Sequence, residues 1–300
     1  MPQTLAAADI GSNTVHLLVA QVNGERVQRV ANENVWIALG EVVARHGLIP
    51  DEQMHQLILA IRQFREICAK TKASSLYVFA TEAMRAASNH EEVLERIARD
   101  TGVVVDLISS KREAELSFRG TVLDCPNPTV LFEVGGGSAQ VANVVGKELR
   151  EKFSLPLGTG KVIADTGLSS PCPRHVFLSA EAYIQERLRG CDFVFEPGVV
   201  AASGGVARGL WRALHPDGDR NLGLAELDYV VYAGCRWDLA TLMRRFNVKP
   251  KRAGTLLPGA MVYAALLRKF GVQEMMVSEY GVREGAVLEM AAGRVEPCLV

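Results

Sequence analysis

The sequence has almost no charge imbalance: 33 Lys and Arg stand against 34 Asp and Glu in 300 residues. That excludes a global field that would draw nucleic acid or an anionic membrane, so any anion site has to be built locally. Cysteines are few, and the six present (68, 125, 172, 191, 235 and 298) form no CxxC pair and no His-interleaved ligand spacing. Neither a zinc site nor a disulfide framework is indicated, and reduced core thiols are the expectation. His16, His46, His55, His90, His175 and His215 are scattered, which leaves no basis for a histidine nucleophile or a metal cluster. No apolar run reaches the roughly 18 residues of a membrane span, and no basic leader precedes the first strand-like segment. A soluble, cytoplasmic protein is expected, with no DNA, RNA or membrane partner. Hydrophobic residues, by contrast, make up 48% of the chain, enough to fill one large core or two ordinary ones.

The hydrophobic pattern changes period along the chain. Thr4 to Ile10 and Val15 to Val22 read as strands around the turn residues Gly11-Ser12-Asn13, and Val27 to Ile37 completes a meander. Pro50-Asp51 opens a helix in which Met54, Leu57, Ile58, Ile61, Phe64, Ile67 and Cys68 share one face. Strand Ser75 to Ala80, helix Glu91 to Asp100 with Gly102 past its end, strand Val103 to Ile108 and helix Lys111 to Leu123 then alternate. This order predicts parallel strands joined by crossover helices. Cys125-Pro-Asn-Pro128 breaks the pattern, and the chain starts again: strand Thr129 to Val134, the turn Gly135-Gly136-Gly137-Ser138, and strand Val141 to Val145. Helices are expected near 179–189, 206–214, 225–246 and 252–270, then a strand near Met275 to Ser278 and a closing helix. The repeated entry motif predicts a duplicated α/β fold, residues 1–124 and 125–300, with a cleft between the halves; the closing helix is allowed to pack back on the first.

Each Gly-rich turn follows an acidic residue, Asp9 or Glu133. Consecutive N–H groups of such a turn form a concave nest for phosphate oxygens, whereas a carboxylate beside phosphate is repulsive unless a cation lies between them. Two such motifs together point to metal and phosphate in one site. Read separately, each is also compatible with an ordinary hairpin turn beside a solvated acid.

Beyond these turns, further segments carry a resemblance. Ala8-Asp9-Ile10-Gly11-Ser12-Asn13-Thr14 resembles the first phosphate loop of the exopolyphosphatase and guanosine pentaphosphate phosphatase family, and Glu133-Val134-Gly135-Gly136-Gly137-Ser138 resembles the second. Ala80 to Asn89 is similar to the segment carrying a phosphate-binding arginine, here Arg85. Ile108 to Ala114 is similar to the segment carrying the general base, here Glu113. Ser154 to Gly158, Ser203-Gly204-Gly205, Arg252-Ala253 and Tyr280 to Gly285 follow in family order.

The resemblance implies two actin-like, ribonuclease-H-like domains with an interdomain cleft. It implies Mg²⁺ (Mn²⁺ as the alternative) at Asp9 and Glu133, and phosphate held by Gly11, Ser12, Asn13, Thr14, Arg85, Gly135, Gly136, Gly137 and Ser138. Water would be activated by Glu113, with Gln140 as a second catalytic position. The expected reaction is removal of terminal phosphates from inorganic polyphosphate. The alternatives are the 5′ phosphate of guanosine pentaphosphate, with Ser203, Gly204 and Gly205 lining a nucleoside pocket, or a sensor that binds without turnover. A homodimer is allowed.

Two features temper the expectation. Ser110-x-x-Glu113 also reads as a capping box, in which the glutamate only returns a hydrogen bond to the helix start. The second loop has Glu133, Ala139 and Gln140 where the family has Asp, Thr and Glu; Ala38, Ser110, Val206 and Gly254 depart as well. A slow hydrolase is therefore expected.

Overall fold

A computed structural model describes residues 2–299 except 147, 197 and 217. The chain begins with an antiparallel meander, β1 (Gln3–Ile10), β2 (Thr14–Asn23) and β3 (Arg26–Trp36), whose register pairs Asp9 with His16 and Ile10 with Val15. Alternation sorts the strands by face: Ala6, Ala8 and Ile10 enter one core cluster, Leu5 and Ala7 another. A short helix α1 (Leu39–His46) was not legible in the sequence, because left-handed Ala38 and Gly47 bracket only eight residues. Helix α2 (Asp51–Thr71) buries the expected stripe of Met54, Leu57, Ile58, Ile61, Phe64 and Cys68. At roughly 1.5–3 kcal/mol per large apolar side chain, that stripe is the main reason α2 stays on the sheet. Then come the wholly buried strand β4 (Ser75–Ala80), parallel to β1, α3 (Glu82–Ala86), α4 (His90–Thr101), β5 (Val105–Leu107) and α5 (Ser110–Thr121). The strand expected from Val103 to Ile108 keeps only three residues; Val104 is exposed.

The second half repeats the order with β6 (Pro128–Val134), β7 (Ala139–Val145), β8 (Glu148–Leu155), α6 (Thr159–Thr166), α7 (Arg174–Arg187), β9 (Val199–Ser203) and α8 (Gly204–Leu214). It continues through β10 (Asn221–Gly223), α9 (Leu224–Arg236), α10 (Leu239–Phe246), α11 (Pro250–Lys269) and β11 (Glu274–Val277). The single helix expected over 225–246 is two helices. Trp237 is extended, and the Asp238 carboxylate accepts a bond from Thr241 N at 2.7 Å, a helix cap that starts α10 anew. The sheet orders are β3-β2-β1-β4-β5, with β12 (Cys298–Leu299) also on the β4 edge, and β8-β7-β6-β9-β11-β10. Each half thus has three antiparallel strands, with two parallel ones on the other side of the first strand (β4 and β5, or β9 and β11), the ribonuclease-H-like order of actin-like proteins; β12 and β10 are antiparallel additions at those edges. No helix among the described residues is long and apolar enough to cross a membrane. Cys68, Cys125, Cys172, Cys191 and Cys235 are free thiols, and burial pushes Cys68 and Cys191 up to about 11; the Cys298 side chain lies outside the described residues.

One boundary differs from the sequence expectation of 125–300. The compact units are Met1–Leu123 with Tyr280–Val300, and Asp124–Glu279, so the closing helix α12 (Val282–Ala291) belongs to the first unit. The reason is close packing on α5. A Cβ on Gly120 would overlap the Gly281 backbone, and one on Gly285 would overlap the Leu116 carbonyl, so only glycine permits this approach. Ala286, Val287 and Met290 then join Leu5, Ala7, Leu18, Tyr77, Phe79 and Leu116 in one buried cluster. Two buried acids anchor the helix. Glu284 pairs with Arg29 at 2.9 Å, and Glu289 is held by Arg294 at 2.6 Å and by Arg112 and Arg119 at 3.0 Å each.

Gly285→Ala should destabilise the first unit by about 1–3 kcal/mol through overpacking, seen as a lower denaturation midpoint; an unchanged midpoint would show that the α5–α12 contact yields freely. Burial alone would raise the Glu289 carboxyl, but hydrogen bonds from Arg294 and Arg112 outweigh it and hold the group below the usual 4.5. Its stabilisation is therefore present at neutral pH and lost as pH falls through the depressed value. Glu289→Gln should cost about 2 kcal/mol at pH 7, and the gap to the parent should close in acid when unfolding is measured across pH.

Candidate active site

Both Gly-rich turns are locked in the same way. Gly11 N donates to Thr14 O at 3.0 Å, and Gly135 N donates to Ser138 O at 2.8 Å. In the first loop the Ser12 carbonyl accepts from Gly40 N at 2.6 Å, and the Asn13 carbonyl accepts from Ile37 N and Ala38 N at 3.0 Å each. In the second loop the Gly135 carbonyl accepts from Thr159 N at 2.9 Å, Gly136 from Gly160 N at 2.8 Å, and Gly137 from Gly158 N at 3.1 Å. In a trans peptide the N–H points opposite to the carbonyl before it. With those carbonyls drawn toward the start of α1 or α6, the amides of Asn13, Gly136, Gly137 and Ser138 face the other way. That is the concave donor arrangement an oxyanion fits.

Sequence reasoning singled out the segment ending in Gly158 but assigned no role to the residues that do the locking. A Cβ on Gly158 would overlap the Gly136 and Gly137 backbones, and one on Gly40 would lie 2.8 Å from Ser12 Cβ. The available signal was a glycine three or four residues past the third strand of each meander, in Ala38-Leu39-Gly40 and Leu157-Gly158-Thr159-Gly160.

In the second unit the candidate residues cluster around the end of β6. Glu133 stands opposite Gln140 on β7 and Ser203 on β9. Its Cγ and Oε1 would be 3.1 Å from a Cβ on Gly204, whose φ of +88° also calls for glycine. Its Oε2 is buried with no hydrogen-bond partner. Gln140 is 6% exposed and donates from Nε2 to Ser154 Oγ at 3.0 Å, so its amide braces β7 to β8. The fully buried Tyr263 ties the two strand ends together: its hydroxyl accepts from Val134 N at 3.2 Å and donates to Ser203 O at 3.3 Å. Arg252 Nη1 donates to Gly205 O at 2.7 Å, which fixes the start of α8 against the start of α11.

In the first unit Asp9 occupies the position equivalent to Glu133, and His16 the position equivalent to Gln140, a correspondence that sequence reading did not assign. Thr81 N donates to the carbonyl of Ile10, next to Asp9, at 3.2 Å, and Thr81 O accepts from Arg85 N at 3.1 Å. The end of β1 is thereby linked to the helix carrying Arg85. Arg85 Nη1 donates to Ile108 O at 2.7 Å, and Nη2 donates to Glu113 Oε2 at 3.3 Å. The capping-box reading of Ser110 and Glu113 is overturned. Ser109 is the cap, its Oγ accepting from Arg112 N at 3.2 Å, so the returning position is Arg112 and Glu113 lies one residue beyond it. The structure therefore brings Arg85 and Glu113 together. It gathers Glu133, Gln140, the 135–138 loop and Ser203–Gly205 in the other unit.

Fold and loops define an actin-like protein with one Gly-rich loop, locked in the same way, in each unit. Residues 18–293 match the Ppx/GppA phosphatase family, and the chain belongs to that family. It is 25% identical over 299 residues to Exopolyphosphatase 1 of Mycobacterium leprae, covering 95% of this chain and 88% of that protein. It is 27% identical over 309 residues to Exopolyphosphatase 1 of Mycobacterium tuberculosis, with 95% and 87% covered. Among solved structures, the Aquifex aeolicus Ppx/GppA family member shares the fold at a TM-score of 0.85 and 22% identity, covering 99% of this chain and 100% of that one. An exopolyphosphatase from Cytophaga hutchinsonii does so at a TM-score of 0.87 and 21% identity, covering 97% and 98%.

Tyr263→Phe removes one oxygen that serves two buried backbone groups. It should destabilise the second unit by about 1–3 kcal/mol, measured as a shift in urea midpoint; a midpoint equal to the parent's would show that Val134 and Ser203 find other partners.

Proposed function

We propose that this chain is a Mg²⁺-dependent exopolyphosphatase that hydrolyses the terminal phosphoanhydride of inorganic polyphosphate in the cytoplasm. The observation that carries this reading is the state of Glu113: its carboxylate is turned to Arg85 instead of to the helix start. Phosphoryl transfer asks mainly for charge neutralisation and a placed water, and these two side chains supply one of each. Arg85 binds oxygens of the terminal phosphate in a forked contact, and Glu113 accepts the proton of the attacking water. The water oxygen bonds to the terminal phosphorus, the bond to the bridging oxygen breaks, and orthophosphate leaves. Within its own unit, each Gly-rich loop, 11–14 or 135–138, offers amides to phosphate oxygens.

Asp9 and Glu133 fit a hard divalent cation, since both offer carboxylate oxygens and Glu133 Oε2 is a buried acceptor without a hydrogen bond. Mg²⁺ keeps water and substrate oxygens in its shell, so it does not need a full cage of protein ligands. When bound, the ion offsets the repulsion between carboxylates and phosphate. Gln140 cannot take a proton and is held by Ser154, so it orients and does not act as a base; turnover is slow as a result. Guanosine pentaphosphate is a second reading, in which Ser203, Gly204 and Gly205 would line the nucleoside pocket.

Glu113→Gln should lower phosphate release by at least about 10²-fold, while polyphosphate still raises the melting temperature as it does for the parent. Arg85→Ala should shrink that thermal shift. Unchanged turnover in Glu113→Gln would remove it from the mechanism. No phosphate release by the parent from polyphosphate or guanosine pentaphosphate, with Mg²⁺ or Mn²⁺, would leave a binding sensor.

A further inference from the structure

Spacing along the chain couples no two of the six cysteines, but the fold brings Cys172 and Cys235 together. Cys172 lies in the irregular connection between α6 and α7, and Cys235 in the last turn of α9. The backbones are joined first: Cys172 N donates to the Cys235 carbonyl at 3.2 Å. A backbone bond of this kind brings two Cα atoms to about 5.5 Å, inside the roughly 4.4–6.8 Å that a disulfide spans. The side chains meet as well. The Cys235 thiol donates to Cys172 Sγ, and Cys172 Sγ donates to Pro173 O at 3.5 Å. A bond between the two sulfurs therefore asks for little beyond side-chain rotation.

Among the described residues, Cys68, Cys125 and Cys191 are buried away from any second thiol. Cys235, by contrast, is partly exposed, and Pro171 and Pro173 on either side of Cys172 are exposed, so a small oxidant reaches this corner. We infer that Cys172 and Cys235 are a reversible disulfide site, a latch that fastens the α6–α7 connection to α9 when hydrogen peroxide is the oxidant. The Cys172 thiolate attacks one peroxide oxygen, the O–O bond breaks, and the departing hydroxide takes a proton to leave as water. Cys235 sulfur then attacks Cys172 Sγ, the S–O bond breaks, and a second water leaves; two sulfurs are oxidised and one peroxide is reduced. Burial pushes both thiols up. For Cys172, bonds from the Ser169 backbone and then from the Cys235 thiol offset part of the rise, whereas for Cys235 the charge of Cys172 adds to burial and takes it to about 11. Cys172 is thus the sulfur that ionises first. With both thiols raised, oxidation is slow at neutral pH, and the site answers sustained exposure, not a brief pulse. The latch braces the connection that leaves α6, the helix whose first amides hold the 135–138 loop.

The test treats the reduced full chain with hydrogen peroxide, blocks remaining thiols by alkylation and maps the peptides by mass spectrometry. A peptide pair joined through Cys172 and Cys235 should accumulate, the chain should stay monomeric on a non-reducing gel, and dithiothreitol should reverse the bond. Closing so long a loop should raise the melting temperature of the oxidised parent by at least about 5 °C over its own reduced form. Peroxide should produce no such rise in Cys235→Ser or in Cys172→Ala. Comparing each protein with its own reduced form keeps the reading independent of what either substitution costs. Cross-links between chains, sulfinic acid at Cys172 with Cys235 still free, or a joined pair that melts no higher than the reduced parent would each overturn the latch.

Discussion

The constraint on which both halves depend is the pairing of a loop's carbonyls with the first amides of the helix that follows its meander. A helix start has N–H groups with no partner inside the helix. Here those groups, on Gly40 in one unit and on Thr159 and Gly160 in the other, are satisfied by the loop, and the loop's own amides are forced to its opposite side. One set of hydrogen bonds therefore stabilises a helix and turns the loop's amides outward. It also explains the demand for glycine at Gly158, where backbone packs on backbone with no room for a side chain.

The units share this device but differ in what surrounds it. In the first, Thr81 links the end of β1 to α3, and Arg85 reaches Glu113 on α5, so these two candidate side chains come from helices held at the sheet's C-terminal edge. In the second, buried bonds serve as bracing: Tyr263 joins β6 to β9, and Gln140 joins β7 to β8. The amide at position 140 thus has a structural role. The same amide that cannot act as a base satisfies a serine hydroxyl across the sheet. Glu133, longer than aspartate by one methylene, rests beside Gly204, where any larger residue would press on its side chain.

The return of α12 to the first unit rests on a different balance. Close glycine contacts with α5 bring two acids, Glu284 and Glu289, into a nearly dry interface. Burying such charges is costly unless they are paired, and Arg29 serves one while Arg112, Arg119 and Arg294 serve the other. Without that pairing the apolar gain from Ala286, Val287 and Met290 would be offset by unpaired carboxylates.

Local pattern alone determined the first meander, the first two strands of the second, the long amphipathic α2, the repeat of an acid followed by a Gly-rich turn, and hence a duplicated fold, because strand alternation and helical periodicity are properties of neighbouring residues; the third strand of the second meander, β8, was not read from it. It also determined which residue types stand at Asp9, Arg85, Glu113 and Glu133. Tertiary structure decided the rest. Whether Glu113 caps a helix or faces Arg85 turned on a one-residue choice between Ser109 and Ser110, which local sequence leaves nearly degenerate. The break at Trp237 and the short β5 depended on a side-chain cap and on exposure. The membership of residues 280–300 in the first unit turned on Gly120 meeting Gly281 and Gly285 meeting Leu116, contacts between segments far apart in the chain whose closeness no periodicity records.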